Sequence, residues 1–164
     1  MARGTPCLRL WQFLDRRRPR SYYQRMKVFL SHANSDDSLA RKLADRLNLA
    51  GLTVWDPQEE IVPGDNWAKK IGRALDDSDL LVILLTPSAL KTEALRRDIE
   101  FAIGSKKYED RVYTVFVGPT VGAGKDMPWI LFKLPHCQVE SANDFDNVVK
   151  EIAELANSGT QAPF

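Results

Sequence analysis

A run of six consecutive apolar residues, Leu80–Leu85, constrains the fold of this chain more than any other segment. The run has the length of a strand, and a strand without a polar face must be covered on both sides. Such strands lie in the middle of parallel sheets, because the helices that connect parallel strands cover both faces. The rest of the chain must therefore supply further strands that alternate with helices.

The sequence on either side of the run does alternate in this way. Strands are predicted at residues 26–30, 52–55, 80–85, 111–117 and 136–139. Apolar residues at helical spacing predict four helices. The first is capped by Ser35 and ends at Gly51, and the second is capped by Asp65. The third has inward-facing Leu95, Ile99, Ala102 and Ile103, and the fourth runs from Phe145 to Leu155. This order predicts a parallel sheet with helices on both faces.

The 164 residues are enough for one domain with its own core, and the net charge of +1 favours neither nucleic acid nor a membrane as partner. No apolar run is long enough for stable membrane insertion. Residues 1–25 form a basic extension with seven arginines and one acidic residue. Two interpretations of this extension stay open: an amphipathic helix for a membrane surface or a partner, or an over-extended reading frame that precedes a natural start at Met26. Residues 158–164 are read as a frayed tail.

Cysteine and histidine are too rare for several kinds of site. Cys7 and Cys137 cannot build a disulfide framework, and they fit a reducing, cytoplasmic compartment. The histidines are His32 and His136, and these two residues and the cysteines do not have the spacing of a metal site. Neither a metal nor a cofactor is therefore predicted. The glycine-rich segment 118–125 lacks the spacing of a phosphate-binding loop and is predicted to be a surface loop.

Five short stretches carry a family resemblance because they occur together and in order. They are Val28–His32, Val54–Asp56, Pro63–Trp67, Ile71–Leu75 and Ser78–Ser88. The series resembles the Toll/interleukin-1 receptor (TIR) domain, in the short form common in bacterial and plant immunity proteins. The resemblance assigns residues 26–157 to the domain and implies a flavodoxin-like, five-stranded parallel sheet.

The resemblance implies two possible functions. Some family members cleave the nicotinamide–ribose bond of NAD⁺ when self-associated, and others are association modules without catalysis. In the enzymes, a Glu in the helix after the third strand is catalytic and follows a Trp by four residues. This chain has Ala94 at the Trp position and Asp98 at the Glu position. The resemblance therefore implies Asp98 as the catalytic residue. Helix geometry favours it over Glu100, because Asp98 borders the inward stripe of the helix and Glu100 lies on the other side.

Ligands of such folds bind beyond the carboxyl ends of the strands. The predicted pocket for NAD⁺, as substrate rather than cofactor, is lined by Ser31, His32, Ala33, Asn34, Asp56 and Trp67 together with Asp98. The 56–66 loop is implied to mediate self-association, with Pro63, Gly64 and Asp65 at its turn.

Structural roles compete with each of these assignments. Asp98 is equally well explained as a carboxylate at the core boundary that bonds to an arginine. Trp55 and Trp67 are explained as core aromatic residues that hold the loop. Glu59 and Glu60 are the obvious substitutes for a missing catalytic Glu. The leading hypothesis is an NAD⁺ nucleosidase of cytoplasmic defence signalling that acts with itself or another TIR-domain protein; the alternative is a non-catalytic TIR association module.

Overall fold

A computed structural model describes residues 25–118 and 129–158 of the chain. The described residues form one five-stranded sheet whose strands are all parallel, in the order β2-β1-β3-β4-β5. The strands are β1 (Lys27–Ser31), β2 (Thr53–Trp55), β3 (Leu80–Leu85), β4 (Val112–Val117) and β5 (His136–Val139). This confirms the predicted fold class, with β3 in the centre of the sheet.

Helices connect the strands. They are α1 (Asp37–Leu49), α2 (Pro57–Glu60), α3 (Trp67–Asp77), α4 (Glu93–Gly104) and α5 (Phe145–Ser158). Short 3₁₀ helices precede α1, α4 and α5, and others follow α4 and precede β5.

Alternation along β3 explains why the sheet is covered on both faces. Leu80, Val82 and Leu84 pack in a cluster with residues of α1 and α5, whereas Leu81, Ile83 and Leu85 pack in a second cluster with residues of α3 and α4. All six side chains are fully buried. The uninterrupted apolar run in the sequence therefore corresponds to a strand between two helical layers.

The structure corrects three local predictions. Ser35 does not cap α1, because residues 34–36 form a 3₁₀ turn that leads into the helix. The side chain of Asn66, rather than that of Asp65, caps α3 by accepting a hydrogen bond from the Lys69 N–H. Ile103 does not face inward: its exposed fraction is 46%, whereas the adjacent Ala102 is buried in the core.

Three sequence segments lie wholly or partly outside the described residues: the basic extension at 1–25, the glycine-rich loop at 118–128 and the tail at 158–164. Within 25–118 and 129–158, no helix has the length and apolar character needed to cross a membrane.

Candidate active site at the carboxyl edge of the sheet

Ser31 and Asp98 meet where β1 ends. Ser31 follows Phe29 by two positions, so its side chain points to the same face of the sheet, which α4 covers. Its hydroxyl donates a hydrogen bond to Asp98 Oδ2 at 2.6 Å. Ser31 is buried and Asp98 is partly buried. The predicted catalytic carboxylate is therefore held by the end of the neighbouring strand.

Two opposing effects set the protonation of Asp98. Burial raises the pKa of its carboxyl above the ordinary aspartate value, and the hydrogen bond from Ser31 lowers it to a smaller extent. The net result is a raised pKa. The hydrogen bond that Asp98 accepts within the described residues comes from Ser31, whereas the competing idea of a boundary carboxylate invoked an arginine.

His32 points away from Asp98 and binds the end of β2 instead. Its Nε2 lies 2.8 Å from Asp56 Oδ1, and its Nδ1 lies 2.9 Å from the Ala33 carbonyl oxygen. Both side chains are almost wholly buried, at 1% and 4% exposure. Burial lowers the pKa of His32, but the bonds to Asp56 and Ala33 and the charges of Asp56 and Asp37 outweigh it, so the pKa is raised.

Asp56 also starts the segment that follows β2. Its Oδ1 accepts the Gln58 N–H at 2.9 Å, which caps the single turn of α2. The Gln58 side chain in turn bonds to Asn34 Oδ1. The predicted 56–66 loop therefore contains a short helix, and two of its residues are fastened to the 32–34 turn.

The second half of the 56–66 loop is a turn at the surface. Gly64 has a φ of 97°, a conformation in which a side chain is strained, and Pro63 beside it is exposed. Asp65 accepts hydrogen bonds from the Val62 N–H and from the Lys70 ammonium, and both lower its pKa, the Lys70 bond more. The residues predicted for self-association are accessible but have a local structural role as well.

The two tryptophans near the loop differ in their packing and exposure. Trp55 stacks on Phe29 with ring centroids 5.0 Å apart, which fits the structural reading of that residue. Trp67, by contrast, is 55% exposed at the start of α3, so it is not a core aromatic. Ala94 is also exposed.

A cleft of about 330 Å³ lies beside the free edge of β2, between that strand and α3. It is lined in part by Thr53, Trp55, Lys70 and Arg73, and neither Ser31 nor Asp98 contributes to it. The cleft is therefore separate from the predicted catalytic carboxylate.

The sequence predicted pocket residues at the carboxyl edge of the sheet but did not show how they are grouped. The hydrogen bonds place Ser31 with Asp98, and His32 with Asp56. Asp37 was not among the predicted site residues, yet its charge contributes to the raised pKa of His32. Its place at the start of the helix that follows β1 was the available signal.

A profile of the family described as TIR domain matches residues 28–149. That is well over half of the chain, so the chain belongs to the TIR domain family. The resemblance carried by the five ordered stretches is thereby confirmed.

Three curated relatives share this domain at low identity. The probable 2' cyclic ADP-D-ribose synthase BdTIR of Brachypodium distachyon is 24% identical over 151 residues, which cover 84% of this chain and 67% of that protein. The NAD(+) hydrolase TcpC of Escherichia coli O6:H1 is 22% identical over 130 residues, or 78% and 42% of the two chains. The 2' cyclic ADP-D-ribose synthase BtTIR of Bacteroides thetaiotaomicron is 36% identical over 64 residues, or 38% and 22%. The chain thus spans less than half the length of the last two.

Solved structures agree with the fold. A metazoan TIR-STING receptor from C. gigas has a TM-score of 0.61 at 21% identity, and the match covers 83% of this chain and 41% of that one. A prokaryotic SEFIR domain has a TM-score of 0.59 at 16% identity, with 80% and 92% covered. At these identities the likeness establishes the architecture alone.

Proposed function

We propose that this chain cleaves the nicotinamide–ribose bond of NAD⁺, with Asp98 as the catalytic carboxylate. The observation that carries the proposal is the position of Asp98, which is partly buried at the carboxyl edge of the sheet and held by Ser31 at 2.6 Å. Membership of the TIR family and relatives named as an NAD(+) hydrolase and as cyclic ADP-D-ribose synthases support it. The biological role is cytoplasmic defence signalling.

The chemistry requires a negative group beside the ribose. As the glycosidic bond breaks, its electron pair passes to the pyridinium nitrogen, and neutral nicotinamide leaves. The positive charge that develops on the ribose is stabilised by the Asp98 carboxylate, whose electrostatic effect is large in a site that excludes water. Water then forms the new C–O bond and releases a proton, so NAD⁺ and water give ADP-ribose, nicotinamide and H⁺. A hydroxyl of the ADP-ribose itself, in place of water, gives a cyclic product.

The chain departs from the enzymes of the family at two positions, and both lower the expected rate. Asp98 is one C–C bond shorter than Glu, about 1.5 Å. A displacement of about 1 Å from the productive geometry costs on the order of 100-fold. Ala94 adds no aromatic surface to the pocket. We therefore expect slow turnover that depends on self-association.

The test is NAD⁺ consumption by the full chain at high protein concentration with a crowding agent, with nicotinamide release measured by chromatography. Asp98→Ala should be inactive and Asp98→Glu as fast as the wild type or faster. Glu100→Ala is the matched control, because this exposed acid lies in the same helix. No consumption by any of these proteins, Asp98→Glu included, overturns the proposal, and so does full activity of Asp98→Ala.

The second candidate function is a non-catalytic association module, in which this TIR domain binds itself or another TIR domain. The exposure of Val62 and Trp67, at 56% and 55%, favours it because large apolar side chains beside an exposed turn provide contact surface. If this is the function, the full chain self-associates in sedimentation experiments without consuming NAD⁺. Val62→Asp should then weaken association.

A further inference from the structure

Three side chains with metal-ligating atoms converge on the side of the sheet opposite Asp98. They are His32 after β1, Asp56 after β2 and Asp37 at the start of α1. One ligating atom from each lies within 4.8 Å of the other two. Asp56 is distant in sequence from His32 and Asp37, so the absence of a recognisable ligand spacing did not exclude a site built by the fold.

The orientation of His32 is that of a metal-binding histidine. Its Nδ1 faces the Ala33 carbonyl oxygen at 2.9 Å, and because a carbonyl only accepts, Nδ1 carries the hydrogen. Nε2 is then directed at the carboxylates. Histidine ligands of metals are held in this manner, with the second ring nitrogen donating to a carbonyl or carboxylate.

Two oxygens of the cluster are buried without any hydrogen-bond partner. They are Asp56 Oδ2 and Asp37 Oδ1. The Asp56 residue is only 4% exposed, and its other oxygen already serves both His32 and Gln58. A buried acceptor without a partner costs about 1–3 kcal/mol, and more when it is charged. A cation bound between the side chains removes this cost.

We propose that His32 Nε2 and the carboxylates of Asp37 and Asp56 bind a divalent transition-metal ion, for which zinc is the best match. One imidazole and two carboxylates suit zinc, whereas magnesium prefers oxygen ligands alone. The three ligating atoms lie within 4.8 Å of one another, and His32 Nε2 lies 2.8 Å from Asp56 Oδ1. Tetrahedral ligands at about 2.0–2.1 Å from zinc lie roughly 3.3 Å apart, so binding requires side-chain movements of up to about 1.5 Å. The two carboxylates supply two negative charges, with Arg41 paired to Asp37 Oδ2 at 3.1 Å, and the three ligands leave a fourth position for water.

The ion would join the ends of two neighbouring strands to the first turn of α1. Without the ion, the contact between His32 Nε2 and Asp56 Oδ1 at 2.8 Å makes part of the same connection. The site lies on the α1 side of the edge and does not depend on the proposed cleavage of NAD⁺. It would fix the start of the 56–66 loop.

The test is calorimetric titration of the chelator-treated full chain with zinc chloride. The wild type should bind one ion, and Asp37→Asn should bind it at least ten times more weakly. Asp45→Asn is the matched control, because Asp45 is an exposed acid of the same helix outside the cluster, and it should bind as the wild type does. Equal affinity in Asp37→Asn, or no saturable binding by the wild type, overturns the proposal.

A second measurement needs no variant. X-ray absorption at the zinc edge of the wild-type complex should show one imidazole and oxygen ligands at about 2.0–2.2 Å. A sulfur ligand at about 2.3 Å would place the ion at a cysteine and overturn the assignment to this cluster.

Discussion

Two buried serines provide a matched test of the charge on Asp98. Ser31 Oγ donates to Asp98 Oδ2 at 2.6 Å, and Ser78 Oγ donates to the Ala74 carbonyl oxygen at the same distance. Both serines are nearly inaccessible, at 1% and 2% exposure. Replacement of each by Ala removes one hydroxyl group of the same size and burial, so the two variants differ mainly in the acceptor that is left behind.

The magnitudes follow from the two acceptors. A hydrogen bond to a charged group contributes about 1.5–3 kcal/mol, against about 0.5–1.5 kcal/mol for a neutral one. The Ala74 carbonyl keeps the Ser78 N–H at 2.9 Å after the change, so Ser78→Ala should cost about 0.5–1 kcal/mol. Asp98 is partly exposed and regains some hydration, so Ser31→Ala should cost about 2 kcal/mol at neutral pH.

The two costs should differ in their response to pH. The Ser31 hydroxyl favours the ionised form of Asp98 and lowers its pKa, so its full contribution is present above that pKa and declines as the pH falls through it. The contribution of Ser78 has no such dependence, because its acceptor does not titrate. Urea unfolding of the two variants and the wild type at neutral and acid pH measures both. Equal losses of unfolding free energy in the two variants, with no dependence on pH, would refute the interpretation that Ser31 holds an ionised Asp98.

Three further predictions concern the same protein. Asp98→Asn should abolish NAD⁺ cleavage and yet keep the thermal stability at neutral pH within about 1 kcal/mol, because it relieves the burial of a charge while an amide oxygen still accepts from Ser31. A large loss of stability would contradict that account. Phe145→Ala should lower the free energy of unfolding in urea by about 3–5 kcal/mol, because the ring is fully buried. Leu49→Ala, at a residue with 88% exposure, should change it by no more than about 0.5 kcal/mol. Comparable losses in the two variants would contradict the assignment of Phe145 to the core. Arg41→Ala removes the pairs with Glu59 at 2.7 Å and Asp37 at 3.1 Å and should cost less than about 1 kcal/mol, because the Arg41 side chain is exposed; the loss should shrink in high salt.

The fold was predictable because its signals are periodic. The Leu80–Leu85 run fixes a central strand, and the helical spacing around it fixes the covering layers. The caps were less predictable because several polar residues stand side by side at each helix start, and small shifts in the backbone decide among them. At the start of α3 the adjacent Asn66 caps in place of Asp65.

The candidate site was predictable in position but not in its pairings. Parallel strands bring their carboxyl ends to one edge, which is why Ser31 and Asp56 could be named from the sequence, whereas Asp98, in a helix, was named from the family resemblance. The bond between Ser31 and Asp98 joins residues 67 positions apart, and it depends on how α4 sits on the sheet. The meeting of His32, Asp37 and Asp56 depends in the same way on the packing of α1, which spacing along the chain does not record.

The most direct test of the central claim is the pH dependence of kcat/KM for NAD⁺ in the wild type, in Ser31→Ala and in the control Ser78→Ala. The wild-type rate should fall as the pH decreases through the raised pKa of Asp98, because only the ionised carboxyl stabilises the ribose. Ser31→Ala should move this fall to higher pH, because it removes the bond that lowers the pKa, and Ser78→Ala should leave it in place. An acid limb at the same pH in all three proteins would contradict Asp98 as the reacting carboxylate.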